Sequence, residues 1–534
     1  MRMLYSSLVV GLTTLFILVG CGPKNDSNSS NTTSSADPNT LVLAAGSEVK
    51  DMGPLLDQLR AETGVSLKLE FIGTLDGIQR IAEGAQYDGA WFSHAKYMML
   101  VPDAAARVKA SEKIMFSPVV LGVKTSKAKS FGWGPNTSWA EIAEKSGRGE
   151  FKFGMTNPTS SNSGFSALVG VAASFAQKSD ALEEADIDAK RMAKLFKGQT
   201  LTAGSSGWLA DRYVEEQNGL DGLINYESVL LSLNRGGLVK EALTLIYPDD
   251  GVLTADYPLI LMNDSKRAAY DKAVAWLKGP KAQQWIMTNS LRRPVVPAVA
   301  LDKAIFGNTL VVDMAFPGKL SVVNSLLYSY LGEQRRPASM YFVLDQSGSM
   351  SGDRLVDLNR ALHVLAGSES QSLTGQFSRL QPRERVTLIP FDSTVRTNQV
   401  LHLEVGTTAN ENSAHSKLKT FADRMDANGG TAMYAGLVEA YTQIAKDIQL
   451  EPDRYYSVVV MTDGQSNEGM DNTEFEKWFK LQPESVRNVK AFPVLFGGGD
   501  KNQLHAVATL TGGKMFDASK SSLAAMFKEI RGYQ

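Results

Sequence analysis

The most chemically loaded stretch of this 534-residue chain is Asp345-Gln346-Ser347-Gly348-Ser349-Met350. The Asp-x-Ser-x-Ser spacing places one carboxylate and two hydroxyls on a single tight loop. The apolar run Tyr341-Phe342-Val343-Leu344 leads straight into it and reads as a buried strand, so the loop stands at a strand's carboxyl end. Farther on, Asn428-Gly429-Gly430-Thr431 precedes a helix opening at Ala432, and a strand over 457–461 ends in Thr462-Asp463-Gly464. Helices are predicted over 353–366, with Leu355, Leu358, Leu362 and Leu365 on one face, and over 413–425. Further strands are predicted over 386–391 and 489–496. Strands followed by helices describe a doubly wound parallel sheet, whose ligands gather beyond the carboxyl ends of the strands. The plainer alternative is that Asp345 and Asp463 only cap helices on such a sheet.

Three loops far apart in sequence, Asp345/Ser347/Ser349, Thr431 and Asp463, resemble in order the metal-ion-dependent adhesion site of von Willebrand factor type A (VWA) domains. The resemblance covers nearly all of 339–534. It implies a Rossmann-like fold and a metal site made of Asp345, Ser347, Ser349, Thr431 and Asp463. All are hard oxygen donors, suited to Mg²⁺ and, less selectively, to Mn²⁺ or Ca²⁺. In the family the aspartates bind largely through water while the hydroxyls ligate directly, so few negative ligands leave the cation electrophilic. The implied partner is a protein that offers a carboxylate to complete the octahedron. Gly429, Gly430 and Gly464 are expected to let the loops turn sharply.

Residues 41–330 alternate short strands and helices, the mark of α/β layers. Strands are read at Leu41-Val42-Leu43-Ala44-Ala45, 65–71 and 88–93, an apolar crossing at 115–123 and a return at 244–262. Two crossings imply two lobes with a cleft between them, lobe 1 being about 41–117 with 255–330 and lobe 2 about 118–254. The pattern resembles the type II periplasmic solute-binding proteins, in particular the phosphate, sulfate and molybdate branch. It rests on Gly46-Ser47, the run Thr156 to Phe165, Asp221 to Tyr226, and Arg292-Arg293-Pro294. The expected ligand contacts are Gly46 and Ser47, Ser93, the loop Ser160, Ser161, Asn162, Ser163 and Gly164, and Tyr226. A helix N-terminus cradles an anion with free N–H groups and the positive end of its dipole. The same small residues are also ordinary helix caps. Glu48, beside Gly46-Ser47, and Glu227 bring carboxylates toward the expected mouth. Burying one beside an oxyanion is costly, so the cleft takes an oxyanion, a neutral or cationic solute, or is structural.

The start of the chain has Arg2, an apolar run from Leu4 to Val19, and Leu18-Val19-Gly20-Cys21, which resembles a bacterial lipobox. Cys21 is the chain's one cysteine, which excludes internal disulfides and multi-cysteine metal sites. Residues 1–20 read as a signal peptide and 21–40, rich in Asn, Ser and Thr, as a lipidated disordered tether. Fifty-five basic against 57 acidic residues, in no long stripe, argue against nucleic acid as a partner. Mean hydropathy of −0.14 excludes a polytopic membrane protein. Gly497-Gly498-Gly499-Asp500 lacks the Lys-Ser/Thr of a phosphate loop and reads as a turn. His94, His363, His402, His415 and His505 show no zinc-ligand spacing. Phe316 and the run Leu326 to Leu331 are read as docking two modules, joined at 331–338.

The expectation is an α/β chain: a two-lobed periplasmic-binding fold, then a VWA domain. As a whole it reads as a non-enzymatic, exported lipoprotein, anchored through its lipid to the cell envelope. It would bind a partner protein through a cation and carry a solute-binding-like module. The alternative is the receptor subunit of an ABC importer with an accessory VWA domain.

Overall fold

The computed structural model describes residues 37–534, except 179, 309–310, 372, 407–408, 498–500, 521–522 and 533–534. Cys21, the apolar leader, most of the tether and Gly498-Gly499-Asp500 lie outside the described residues.

Eighteen strands are described: β1 (Thr40–Ala45), β2 (Ser66–Phe71), β3 (Gly89–Trp91), β4 (Ala110–Lys113), β5 (Met115–Lys124), β6 (Phe153–Thr156), β7 (Gln199–Ala203), β8 (Gly222–Tyr226), β9 (Leu243–Ile246), β10 (Thr254–Ala255), β11 (Pro258–Leu261), β12 (Arg293–Pro294), β13 (Ala338–Asp345), β14 (Arg385–Phe391), β15 (Leu401–Glu404), β16 (Tyr455–Thr462), β17 (Lys490–Leu495) and β18 (Phe516–Asp517). They form three sheets. The first has the order β2-β1-β3-β11-β4, with β11 antiparallel to both neighbours. The second runs β10-β5-β8-β6-β7, with β9 and β12 also paired to β5. The chain leaves the first sheet between Lys113 and Met115 and returns to it between Ala255 and Pro258, so two lobes share two crossings.

The third sheet, β15-β14-β13-β16-β17-β18, is parallel except for its edge strand β15. Its central strand explains the layering. Side chains alternate across a strand, so Met340, Phe342 and Leu344 enter one apolar cluster while Tyr341 and Val343 enter the other. Helices cover both faces, which is why β13 has no polar alternation. Fully burying each such side chain contributes about 1.5–3 kcal/mol. The flanking helices are Asp353–Leu365, Ala409–Ala422 and Met433–Leu450. The second begins four residues ahead of the sequence expectation.

The modules are docked rather than strung. The linker residue Arg335 and Arg531, on the last helix Leu523–Arg531, both pair with Glu384, and all three are buried. Burial alone would raise the Glu384 carboxyl, but the Arg531 and Arg335 guanidiniums outweigh it and leave it lowered. Lys490 on β17 reaches across to Glu216 at 3.1 Å. Tyr328 packs on Phe377 with ring centroids 5.6 Å apart, joining the modules. Phe316 does not join them: it packs on His94 and Phe165 inside the first module.

Candidate functional site

Two polar sites stand out. The first lies above the third sheet, where β13 ends at Asp345 between β14 and β16. Asp345 is fully buried; its Oδ1 accepts from the Ser347 N–H at 2.8 Å and its Oδ2 from the Thr462 hydroxyl at 2.5 Å. The Ser347 and Ser349 hydroxyls are 3.0 Å apart. The Thr431 loop is stitched to this one: Gly348 N–H donates to Gly429 O (3.0 Å) and Asn428 N–H to Gln346 O (2.8 Å). Gly429 has φ +76°, which an L side chain rarely adopts. Thr431 N–H donates to Asn467 Oδ1 at 2.8 Å, and its carbonyl accepts from Asn467 N–H and the Ser466 hydroxyl. Asp463 is nearly buried and accepts from Arg354 Nη1 at 2.5 Å; the same nitrogen donates to Ser349 O. The structure thus gathers Asp345, Ser347, Ser349, Thr431 and Asp463 on neighbouring loops at one end of the sheet.

Sequence reasoning missed the supports Thr462, Asn467 and Arg354. Thr462 was adjacent to Asp463 in the motif, but nothing in the sequence said that its hydroxyl crosses to Asp345. Burial pushes the Asp345 carboxyl up, partly offset by Thr462 and Ser347 and reinforced by nearby Asp463. Among the described residues no cationic side chain pairs with Asp345, and no three His, Cys, Asp or Glu converge anywhere. A buried, unpaired carboxylate is costly, and two carboxylates with three hydroxyls match the oxygen preference of a hard divalent cation. The residues fit such an ion.

The second site is a cavity of about 710 Å³ between the lobes. Gly46, Ser47, Ser160, Ser161 and Asn162 line it together. Ser163, Gly164, Ser93 and Tyr226 do not. The Ser163 hydroxyl is bound to Thr156 (2.8 Å) and Ser206 (2.7 Å). A Cβ on Gly164 would lie 2.1 Å from Thr156 O, so this glycine lets the helix Asn162–Ala176 press on β6. Ser93 and Tyr226 are buried beneath the wall. The N-cap Ser161 makes no side-chain cap bond, and the Asn162 amide, 4% exposed, has no partner at either Nδ2 or Oδ1.

Glu48 also lines the cavity, folded back so far that a Cβ on Gly46 would meet its carboxylate at 2.3 Å. Its Oε1 makes no hydrogen bond of normal geometry, and burial raises its carboxyl, offset in part by its own backbone, Arg292 and Ser93. Arg292 was legible only as part of a motif. It is buried, donates to Glu48 O and Asp51 at 2.6 Å, and stacks 5.1 Å from the Tyr257 ring. Tyr257 sits at φ +39°, a strained conformation for a bulky residue. The Tyr226 phenol is pushed well up by burial and then by Glu48. Glu227 brings no charge to the cavity: Arg293 holds both its oxygens, at 2.8 and 2.7 Å.

Comparison with known proteins assigns both modules. Residues 40–289 match the family of bacterial extracellular solute-binding proteins, and 339–529 match the VWA domain. The chain therefore joins a solute-binding domain to a C-terminal VWA domain. Its VWA domain is similar to inter-alpha-trypsin inhibitor heavy chain H3, at 30% identity over 181 residues for the Rattus norvegicus protein and 29% over 189 for the Homo sapiens one. These matches cover 33% and 34% of this chain, which spans under a fifth of those relatives' length (18% and 19%). Among solved structures, the periplasmic binding protein AfuA from Actinobacillus pleuropneumoniae is similar at 14% identity and TM-score 0.43, covering 55% of this chain and 98% of its own. The sulfate-binding protein SubI from Mycobacterium tuberculosis H37Rv is similar at 19% and 0.40, covering 54% and 96%. Among the described residues no helix is long and apolar enough to cross a membrane.

Proposed function

We propose that this protein is a non-enzymatic binding lipoprotein of the cell envelope, held by lipid on Cys21, that captures a partner protein through a divalent cation on its VWA domain. The observation that carries this reading is the buried Asp345 carboxylate, without a cationic partner among the described residues, where three hydroxyl-bearing loops meet. Asp345, Ser347, Ser349, Thr431 and Asp463 would hold Mg²⁺, or Mn²⁺ or Ca²⁺ in its place. The bound cation supplies an electrophilic position for a carboxylate of the partner. Thr462 and Ser347 N–H fix the Asp345 oxygens, and Asn467 fixes the Thr431 backbone, so the donors are placed in advance. Arg354 keeps Asp463 from swinging away.

Pull-down from native envelope with and without chelator tests this; capture unchanged by chelator in the wild type would sink it. The anchor has its own test. Cys21→Ser should move the protein to the soluble fraction and abolish fatty-acid labelling, and a variant still membrane-bound after carbonate washing overturns that part.

A second reading, the receptor subunit of an importer, is favoured by the interlobe cavity with its unpartnered Asn162 amide. Within it, the oxyanion ligand rests on Gly46, Ser47 and the helix N-terminus at Asn162, and the Glu48 carboxylate opposes it. Saturable binding of a small solute, together with transporter genes beside this one, would favour the receptor.

A further inference from the structure

The interlobe cavity has a third wall. Besides the two lobes, Lys514 and Glu529 of the VWA domain line it, paired with each other. The contact behind them is close. Asn157 Nδ2 donates to Arg531 O at 2.9 Å, and a Cβ on Gly532 would lie 2.8 Å from Gly204 Cα and 2.9 Å from Ser160 Oγ. The end of the last VWA helix is thus pressed onto the two loops, around Ser160 and Ser205, that form the cavity's far side.

The lining carries its own chemical selectivity. At about 710 Å³ the cavity lies in the range of sites that take small organic ligands. Three basic and four acidic side chains line it. A lone anion would face the carboxylates and a lone cation the ammonium and guanidinium groups; a ligand bearing both charges meets both. The buried groups that still need partners agree. The Asn162 amide, unpartnered at both atoms, offers a donor and an acceptor side by side, the complement of a peptide group or of a carboxylate beside an N–H, and Glu48 adds a carboxyl to the same lining.

We infer that this cavity is a ligand site built jointly by the solute-binding and VWA domains, and that it takes a zwitterionic amino compound, an amino acid or short peptide. Its ammonium meets Glu48, its polar backbone meets Asn162, and its carboxylate meets Lys514 from the VWA side. The inference rests on reading the first module as a solute binder. It adds the ligand class and the participation of the second module, so that occupancy of the cleft and docking of the VWA domain are energetically linked.

Calorimetry on the full chain, with alanyl-alanine as probe and sulfate and glucose as competitors in class, tests it. Alanyl-alanine should bind saturably, and its N-acetyl and C-terminal amide derivatives should each bind about 10-fold or more weakly, as expected for loss of a charge-assisted bond. Asn162→Ala should weaken binding about 10-fold. Lys514→Ala should weaken it about 5-fold or more, with Lys514→Arg restoring most of the loss. Tighter binding of sulfate or glucose overturns the zwitterion class and leaves the module a solute binder. Equal affinity in Lys514→Ala and wild type overturns the joint wall and leaves the ligand class. Silence with every probe, in protein with a native circular dichroism spectrum and melt, overturns the inference and counts against the solute-binding reading as well.

Discussion

The two polar sites are made from similar residues, serines, a threonine or asparagine, and carboxylates, yet they are built in opposite ways. On the VWA face Asp345, Ser347, Ser349 and Asp463 stand at the ends of the adjacent strands β13 and β16, Thr431 stands on the loop between the helices Ala409–Ala422 and Met433–Leu450, and each loop is a short motif. In the cleft the wall is assembled from residues far apart in the chain: Arg292 grips the backbone of Glu48 across 244 positions, and the VWA domain adds Lys514. Strand register and loop-to-loop backbone bonds hold the first site, whereas domain packing holds the second. The first should therefore fail by losing function with its fold intact, and the second should be sensitive to changes that only alter packing.

Asp345→Ala is the sharpest break. It removes a carboxylate with no cationic partner among the described residues, so cation-dependent capture should fall about 100-fold or more, while far-UV circular dichroism stays native because both apolar clusters are untouched. Comparable loss of fold and capture would erase the contrast between the two sites.

At the junction the expected effect is on stability. Glu384→Ala leaves Arg335 and Arg531 buried without a counter-charge and should cost about 3–5 kcal/mol in urea unfolding. The lowered carboxyl gives a pH signature. Since the folded form holds its proton less readily than the unfolded chain, the contribution is complete above the unfolded carboxylate range and is lost as pH falls toward the lowered folded value. Wild type should lose this increment in acid, and Glu384→Gln should not show that loss; parallel acid profiles would remove Glu384 from the junction's energetics.

Smaller still is Gly164→Ala, which sets a methyl against the Thr156 carbonyl and should destabilise by about 1–3 kcal/mol as overpacking. Its effect on solute binding should come only through stability. An unchanged melting temperature with lost binding would return Gly164 to the ligand site.

The finest change is Glu48→Gln. Removing a buried carboxylate whose Oε1 makes no hydrogen bond of normal geometry should leave stability the same or up to about 1 kcal/mol higher. By charge it should weaken binding of an amino compound and strengthen that of sulfate. Calorimetry showing the reverse order would put Glu48 outside the ligand's reach.

How much of this was legible depended on range. The strand 341–344 and its Asp-x-Ser-x-Ser loop could be read directly, because period, length and loop chemistry all fall within a few residues. The Ser160–Gly164 loop could be read only as a group. That Asn162 lines the cavity while Ser163 and Gly164 pack on β6 follows from the helix's rotation against the sheet, which the composition of the loop does not encode. Glu227 shows the same limit: its proximity to Tyr226 suggested a charged cleft, and Arg293, 66 residues away, cancels it. Phe316 was one more case, its aromatic ring spent inside a module.

The sequence by itself determined the α/β layering, the order of the two modules and the five oxygen-bearing positions on the VWA loops. These rest on hydrophobic period and on residue types in short loops, which are local properties. Only the tertiary structure decided which hydroxyls are already spoken for, which carboxylates have counter-charges, and that the last VWA helix forms part of the cleft. Those outcomes depend on desolvation and pairing between groups hundreds of residues apart, where the cost of an unpaired buried charge is set by whatever the fold brings beside it.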